Sequence, residues 1–175
     1  MTISQSNLAH QMTVAGVNFY NSLSDNQKNI TFFDYLDGER LFWYYPPLNR
    51  HGLPIRDMEE DQISLAFELL STGLTEKSYQ QAKQIISLES ILGPIEKAAG
   101  KITFKRDPKL YYFTIFGIPG QKDPWGWRVE GHHISIHFSI WGNEIISMTP
   151  FFFGSNPAEV RSGPESGLRI LKERE

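Results

Sequence analysis

Leu8, Met12, Ala15, Phe19 and Leu23 recur at three- and four-residue steps, so the first two dozen residues predict one amphipathic helix whose apolar stripe needs a partner. Ser24 followed by Gln27 is a capping-box pattern, each side chain taking up a free backbone N–H at a helix start. A second short helix is expected to run to about Tyr35, before Asp37-Gly38 turns the chain. Glu39-Arg-Leu-Phe-Trp-Tyr-Tyr45 is aromatic-rich and ends at Pro46-Pro47, where missing N–H groups stop any ladder, and it predicts the first strand. Asp57 followed by Glu60 repeats the capping logic, and Ile63, Ala66, Phe67 and Leu70 form an apolar helix face ending at Gly73. Thr75 opens the next helix, with Ala82, Ile85, Ile86 and Leu92 inward and Gly93-Pro94 as its end. These two predict a helical hairpin.

After Lys101 the period shortens. Leu110-Tyr-Tyr-Phe-Thr-Ile-Phe116 is β-branched and aromatic, Gly117 to Gly120 turn, and from Val129 onward small or β-branched residues alternate with polar ones, the period-2 signal of a half-buried strand. Trp141-Gly-Asn-Glu144 resembles a hairpin loop, so residues 145–153 should return antiparallel, with Pro150 at an edge or bulge. Helices come first and strands later, which predicts an α+β fold. In it, N-terminal helices cover one face of an antiparallel sheet of about four strands, from residues near 39–45, 110–116, 127–140 and 145–153. One domain over residues 1–175 is the expectation. Gly167-Leu-Arg-Ile-Leu-Lys-Glu-Arg-Glu175 starts like a helix and stops in the middle of its pattern, as either a truncated chain or a fraying charged tail would.

Composition narrows the classes. At 175 residues and 40% hydrophobic content there is ample material for one core. A net charge of −3 gives no electrostatic reason to expect nucleic acid. With no cysteine, any metal must be held by His and carboxylate. The opening residues lack a basic segment followed by an apolar run, and nothing approaches the ~20 apolar residues of a membrane span. A cytoplasmic location and no membrane partner are expected.

Trp125-Gly-Trp-Arg-Val-Glu-Gly-His-His-Ile-Ser-Ile-His-Phe-Ser-Ile140 crowds aromatics, an Arg, a Glu and three of the five histidines together, and any chemistry is expected here. On one strand His132 and His133 would point to opposite faces, while His133 and His137 would share a face about 13 Å apart at ~3.3 Å per residue, too far to hold one ion. The metal candidates are His132, His133, His137 and Glu89, with a divalent transition metal as the cofactor considered and neutral hydrogen-bonded rings as the alternative. Glu89 follows Ile85 and Ile86 at helical spacing, so its carboxylate shares their apolar face and needs a partner: His132, Arg106 or Arg128. The ligand candidates are Trp125, Trp127, Arg128, Glu130 and Arg106. Trp125 and Trp127 flank Gly126 with Arg128 beside them, an arrangement that suits a carboxylate or sugar if they line a groove, and plain core if they do not. Arg106-Asp107-Pro108 reads as a turn with an Asp–Arg pair. No Gly-x-Ser-x-Gly elbow, phosphate loop or dinucleotide fingerprint is present.

Several strings together carry a resemblance: Arg50-His-Gly-Leu-Pro54, Ile86-Ser-Leu-Glu89, Arg106-Asp-Pro-Lys-Leu-Tyr-Tyr112, Pro124-Trp-Gly-Trp-Arg-Val-Glu-Gly-His-His-Ile134, Phe153-Gly-Ser-Asn-Pro157 and Gly167-Leu-Arg169. From about Leu23 to its end the chain resembles the DUF3500 family of uncharacterised proteins. The resemblance implies a longer protein with a further C-terminal portion carrying more histidines. A site assembled from both halves would then be incomplete here. Two functions are carried forward: a metal-dependent enzyme acting on a small polar or anionic substrate at the His133 face, and a non-catalytic ligand-binding or interaction module. Homo-oligomer or missing C-terminal portion stays open.

Overall fold

The computed structural model describes residues 5–101, 104–120 and 122–172. Four α-helices and seven short strands alternate with turns: α1 (Gln5–Ser22), α2 (Asp25–Thr31), β1 (Phe32–Phe33), β2 (Leu53–Pro54), α3 (Glu60–Thr72), α4 (Glu76–Ala98), β3 (Tyr112–Phe116), β4 (Trp125–Gly131), β5 (Ile134–Trp141), β6 (Glu144–Ser147) and β7 (Phe151–Phe153). The helix starts follow the local chemistry. Ser24 and Gln27 close the capping box of α2, and the Thr75 hydroxyl accepts from Ser78 N at the start of α4, satisfying donors that the first helical turn leaves free.

The strands form one mixed sheet. Its spine is β3–β4–β5, antiparallel throughout; β1 pairs parallel and β2 antiparallel along the outer edge of β3, while β6 and β7 share the outer edge of β5. Pleating gives the spine two faces of opposite character. One carries Phe113, Ile115, Trp125, Trp127, Val129, Ile134, Ile136, Phe138 and Ile140, all in the core with α1, α3 and α4. Phe19 of α1 and Phe67 of α3 both bring their rings onto Phe113, at 5.8 and 6.2 Å between centroids. Each such fully buried large side chain contributes about 1.5–3 kcal/mol. The other face carries Thr114, Arg128, Glu130, Ser135, His137 and Ser139, and every one of them is buried as well.

That second face is covered by a strap, residues 39–50. The expected strand at 39–45 is absent: Asp37 caps a 3-10 turn at Gly38–Leu41, and the extended residues that follow pair with no strand. Buried side chains replace the ladder. Arg128 Nη1 donates to the carbonyls of Glu39 and Phe42, Tyr44 N donates to Glu130 Oε1 at 3.0 Å, and Arg50 donates to the carbonyls of Tyr44 and Pro46.

The sheet is thus mixed and seven-stranded rather than antiparallel and about four-stranded, and other expectations shift with it. The single strand over 127–140 is a hairpin, β4–β5, in which Gly131 pairs with Ile134 and His132-His133 is the turn. Residues 145–153 do return antiparallel to β5, as two strands. α2 ends at Thr31, short of Tyr35. The cap of α3 is Glu59, with Gln62, rather than Asp57. α4 passes through Gly93-Pro94 to Ala98; Pro94 has no N–H for the Ser90 carbonyl, and exposed Ser90 leaves that group to solvent. The expected terminal helix does not form over 167–172. There Val160 N donates to Leu168 O and Gly167 N to Val160 O, and Ile170 is buried. Residues 173–175 of that helix, and 1–4 of the first, lie outside the described residues.

Candidate functional site

α4 delivers two carboxylates. Glu89 and Glu96 are seven residues apart, two helical turns, so both look the same way. Glu89 is 3% exposed. Its Oε1 meets His132 Nδ1 directly, and its Oε2 lies 3.8 Å from Arg106 Nη1. Arg106 grips Glu96 with two parallel bonds of 2.7 Å, the bidentate geometry that makes such pairs strong. That grip raises the Arg106 pKa and holds the Glu96 carboxyl below the usual carboxylate range. Arg106 Nη1 is 3.2 and 3.4 Å from the two nitrogens of His132, so it points squarely at neither.

His132 is fixed by the turn it occupies. Tyr111, buried, donates its hydroxyl to the His132 carbonyl at 2.8 Å; burial first, and then the Glu89 carboxylate, push that hydroxyl's pKa well above its ordinary value, so it stays a donor. Tyr111 reaches the carbonyl because residue 131 is glycine: a Cβ there would sit 2.1 Å from the Tyr111 ring. His133 takes the second turn position with φ +62°, a conformation that histidine enters more readily than β-branched residues. Its N–H donates to Tyr45 O, and Gly154 N donates to its carbonyl at 2.7 Å. Its ring lies against His132, with 4.1 Å between centroids, and a Cβ at Gly154 would be 2.3 Å from its Nδ1. Burial, then His132 and Arg106, lower its pKa to about 4. His133 is a neutral ring.

Beside Glu89 and His132 opens a cavity of about 490 Å³. Its wall continues through Tyr111 to Arg56, Lys105 and Asp107. Asp107 pairs with Arg56 at 2.7 Å and with Lys105 at 3.8 Å, and its Oδ1 accepts from Lys109 N, closing the turn expected at Arg106-Asp107-Pro108. The Asp of that turn pairs with Arg56, while Arg106 goes to Glu96 and Glu89. Buried donors and acceptors thus meet rim groups of both signs.

The other expected site residues are placed apart. Trp125 and Trp127 are 0% and 1% exposed in the helix-side core, and Arg128 points to the opposite face of the sheet, so the three line no common groove. Arg128, Glu130 and His137 form a second, sealed cluster. Glu130 Oε1 accepts from Tyr44 N and Ser135 Oγ and is 3.3 Å from His137 Nε2; its Oε2 is 3.5 and 3.6 Å from the Nε atoms of Arg128 and Arg50. Burial favours the neutral acid, yet the bond from His137, the charge of Arg128 and the bonds from Ser135 and Tyr44 N hold Glu130 below its ordinary pKa. The four metal candidates therefore divide: Glu89 and His132 meet, with the His133 ring alongside, while His137 is across the sheet with Glu130. Among the described residues no group of three His, Cys, Asp or Glu side chains is placed to hold a metal ion. Tyr111, Arg56, Lys105 and Asp107 are among the cavity residues that carried no site role in the sequence; the Arg106-to-Tyr112 string contained two of them.

A family model described as a protein of unknown function, DUF3500, matches residues 5–175. The chain belongs to the DUF3500 family. Compared with curated proteins and with solved structures, this DUF3500 chain matches none. Among its described residues, no helix is long and apolar enough to cross a membrane.

Proposed function

We propose that this DUF3500 protein is a binding module for a small polar organic molecule, held in the cavity beside Glu89 and His132. The observation that carries the reading is that a cleft of about 490 Å³ has a buried carboxylate–imidazole pair in its wall and the Arg56–Asp107 pair at its rim. Glu89 and His132 orient each other, so the ligand meets a preformed pattern of donors and acceptors and little ordering remains to be done on binding. The mixed charge of the rim suits a zwitterion or a carboxylate that also carries hydroxyl or amino groups.

A second reading rests on the direct Glu89–His132 contact: an imidazole held by a carboxylate can move a proton. It differs from the first only in turnover. The metal-dependent version needs a third ligand beside Glu89 and His132, and among the described residues no three such side chains are placed to hold one ion.

The test is a melting screen of the purified chain against amino acids, hydroxy acids and dicarboxylates, followed by calorimetric titration of any compound that raises the midpoint. Binding that His132→Gln and Arg56→Ala each weaken by at least about tenfold, a loss of about 1.4 kcal/mol, is the expected result. Binding untouched by both variants, or no compound shifting the melt at millimolar concentration, would overturn the proposal. Conversion of a bound compound by the parent and not by His132→Gln would replace the module with the proton-transfer reading.

A further inference from the structure

The strap presents a second surface, which shares Asn49 with the lining of the cavity just described. Its four consecutive aromatics, Phe42, Trp43, Tyr44 and Tyr45, are 52%, 44%, 47% and 45% exposed. Large rings seldom stand half in solvent in a row, and a contiguous exposed apolar patch marks an interaction site more often than chance. Here the backbone beneath them is rigidly held. Arg128 takes the Phe42 carbonyl at 3.0 Å, Arg50 takes the Tyr44 carbonyl at 3.1 Å, and Glu130 takes the Tyr44 N–H at 3.0 Å. Three buried charged residues thus fix the main chain, while the Phe42 and Tyr44 rings remain open.

Phe42 and Tyr44 lie two residues apart on extended backbone, so their rings project to the same side. The ring planes are within 8° of parallel, with centroids 6.4 Å apart. A flat ring stacked on one is therefore parallel to the other as well. The same rings wall a cleft of about 380 Å³, whose other side is made by Glu39, Asn49, Arg50 and His51.

The polar side identifies the kind of ligand. Arg50 offers little to an anion, since its side chain is 3% exposed, its Nη groups serve the carbonyls of Leu48, Tyr44, Pro46 and Gly131, and Glu130 Oε2 already lies 3.6 Å from its Nε. Glu39 is matched by Arg128 at 2.6 Å and by His51 at 2.8 Å. The cleft is therefore close to neutral, and offers an amide, an imidazole edge and a carboxylate that can bond hydroxyl groups. A neutral ligand with one flat apolar face and a rim of hydroxyls fits both halves. The geometry points to a sugar ring of a neutral oligosaccharide, its C–H face on Phe42 and Tyr44 and its hydroxyls toward Asn49, His51 and Glu39.

The test titrates the full chain with cellohexaose, xylohexaose and maltohexaose, following heat and tyrosine and tryptophan fluorescence. Phe42→Ala, Tyr44→Ala and the double variant are measured beside the parent; all keep the backbone bonds of the strap, and their urea midpoints report on folding. Saturable binding of one of these sugars, weakened about tenfold or more by the double variant and unchanged by His132→Gln, is the expected result. No heat from any of the three at millimolar concentration would overturn the proposal, as would binding that survives in the double variant. Concentration-dependent dimerisation lost in the double variant would also overturn it, since the aromatic face would then cover a second copy of the chain.

Discussion

The molecule contains two buried clusters built from the same side-chain types. Glu89, His132 and Arg106 sit at the hairpin turn; Glu130, His137, Arg128 and Arg50 sit across the sheet under the strap. They differ in where their hydrogen bonds end. Glu130 accepts from a backbone N–H and a serine, and its two arginines continue into the carbonyls of Glu39, Phe42, Tyr44 and Pro46, so the second cluster is a fastener. Glu89 meets only side chains, and with His132 it borders open space. A carboxylate, an imidazole and a guanidinium therefore have no fixed role. Whether their remaining valences face main chain or a cavity decides between scaffold and site.

The largest expected effect follows from the fastener. Glu130→Ala leaves Arg128, Arg50 and His137 buried without their common anion, and stranding a buried charge in this way costs about 3–5 kcal/mol. The urea midpoint should fall accordingly, and the fluorescence of Trp43 should shift as the strap loosens. Glu130→Gln should recover part of the loss, because its amide oxygen can still accept from Tyr44 N. A midpoint equal to the parent's would mean that the strap holds without the cluster.

Glu89→Ala should cost less, about 2 kcal/mol, because Arg106 keeps its bidentate bonds to Glu96. Glu89→Gln should cost less again. Both should nevertheless lose ligand binding in the cavity, so stability and binding separate at this site and move together at Glu130. Urea melts and titrations on the four variants measure the separation. Equal destabilisation by Glu89→Ala and Glu130→Ala would erase the distinction between the clusters.

Much of this was legible in the sequence, and the misses have physical causes. The helix starts at Ser24 and Thr75 could be read because caps are local chemistry. A carboxylate on an apolar helix face shows that Glu89 needs a partner and leaves His132, Arg106 and Arg128 as candidates, of which the fold supplies the first two. The hairpin was missed although its signal was present: apolar positions are odd-numbered at Trp125, Trp127 and Val129 and even-numbered at Ile134, Ile136 and Phe138. No single strand can put both sets on one face, whereas a two-residue turn at His132-His133 does. The strap reads as a strand in sequence because its aromatics have strand propensity, while the side chains that replace its ladder come from Arg128 and Glu130, more than eighty residues later. Pattern sees propensity and cannot see a partner at that distance. Arg56 joined the cavity only through its long-range pair with Asp107.

The smallest effect concerns protons. His133 titrates at about 4 in the folded chain, below its ordinary 6.5, and burial, partly opposed by Glu130, also lowers His137. A depressed histidine binds its proton more readily when unfolded, so its stabilising contribution is complete above pH 6.5 and is lost as pH falls toward the folded value. Glu130, Glu96 and Asp107 are depressed carboxylates, whose contributions fade only below their unfolded range near 4.5. The interval from 6.5 to 4.5 therefore belongs to the histidines, and stability should fall across it as both are protonated in the unfolded chain first. His133→Asn separates the two, since asparagine accepts the positive φ of the turn and does not titrate. Its stability at pH 7.5 should drop modestly with the lost ring contacts to His132 and Tyr45, while its decline between pH 6.5 and 4.5 should be shallower than the parent's. His137→Gln should flatten the remainder. Urea midpoints at half-unit steps of pH give both slopes. An unchanged slope in His133→Asn would place the titration elsewhere and make the fastener cluster, through His137, the acid-sensitive one.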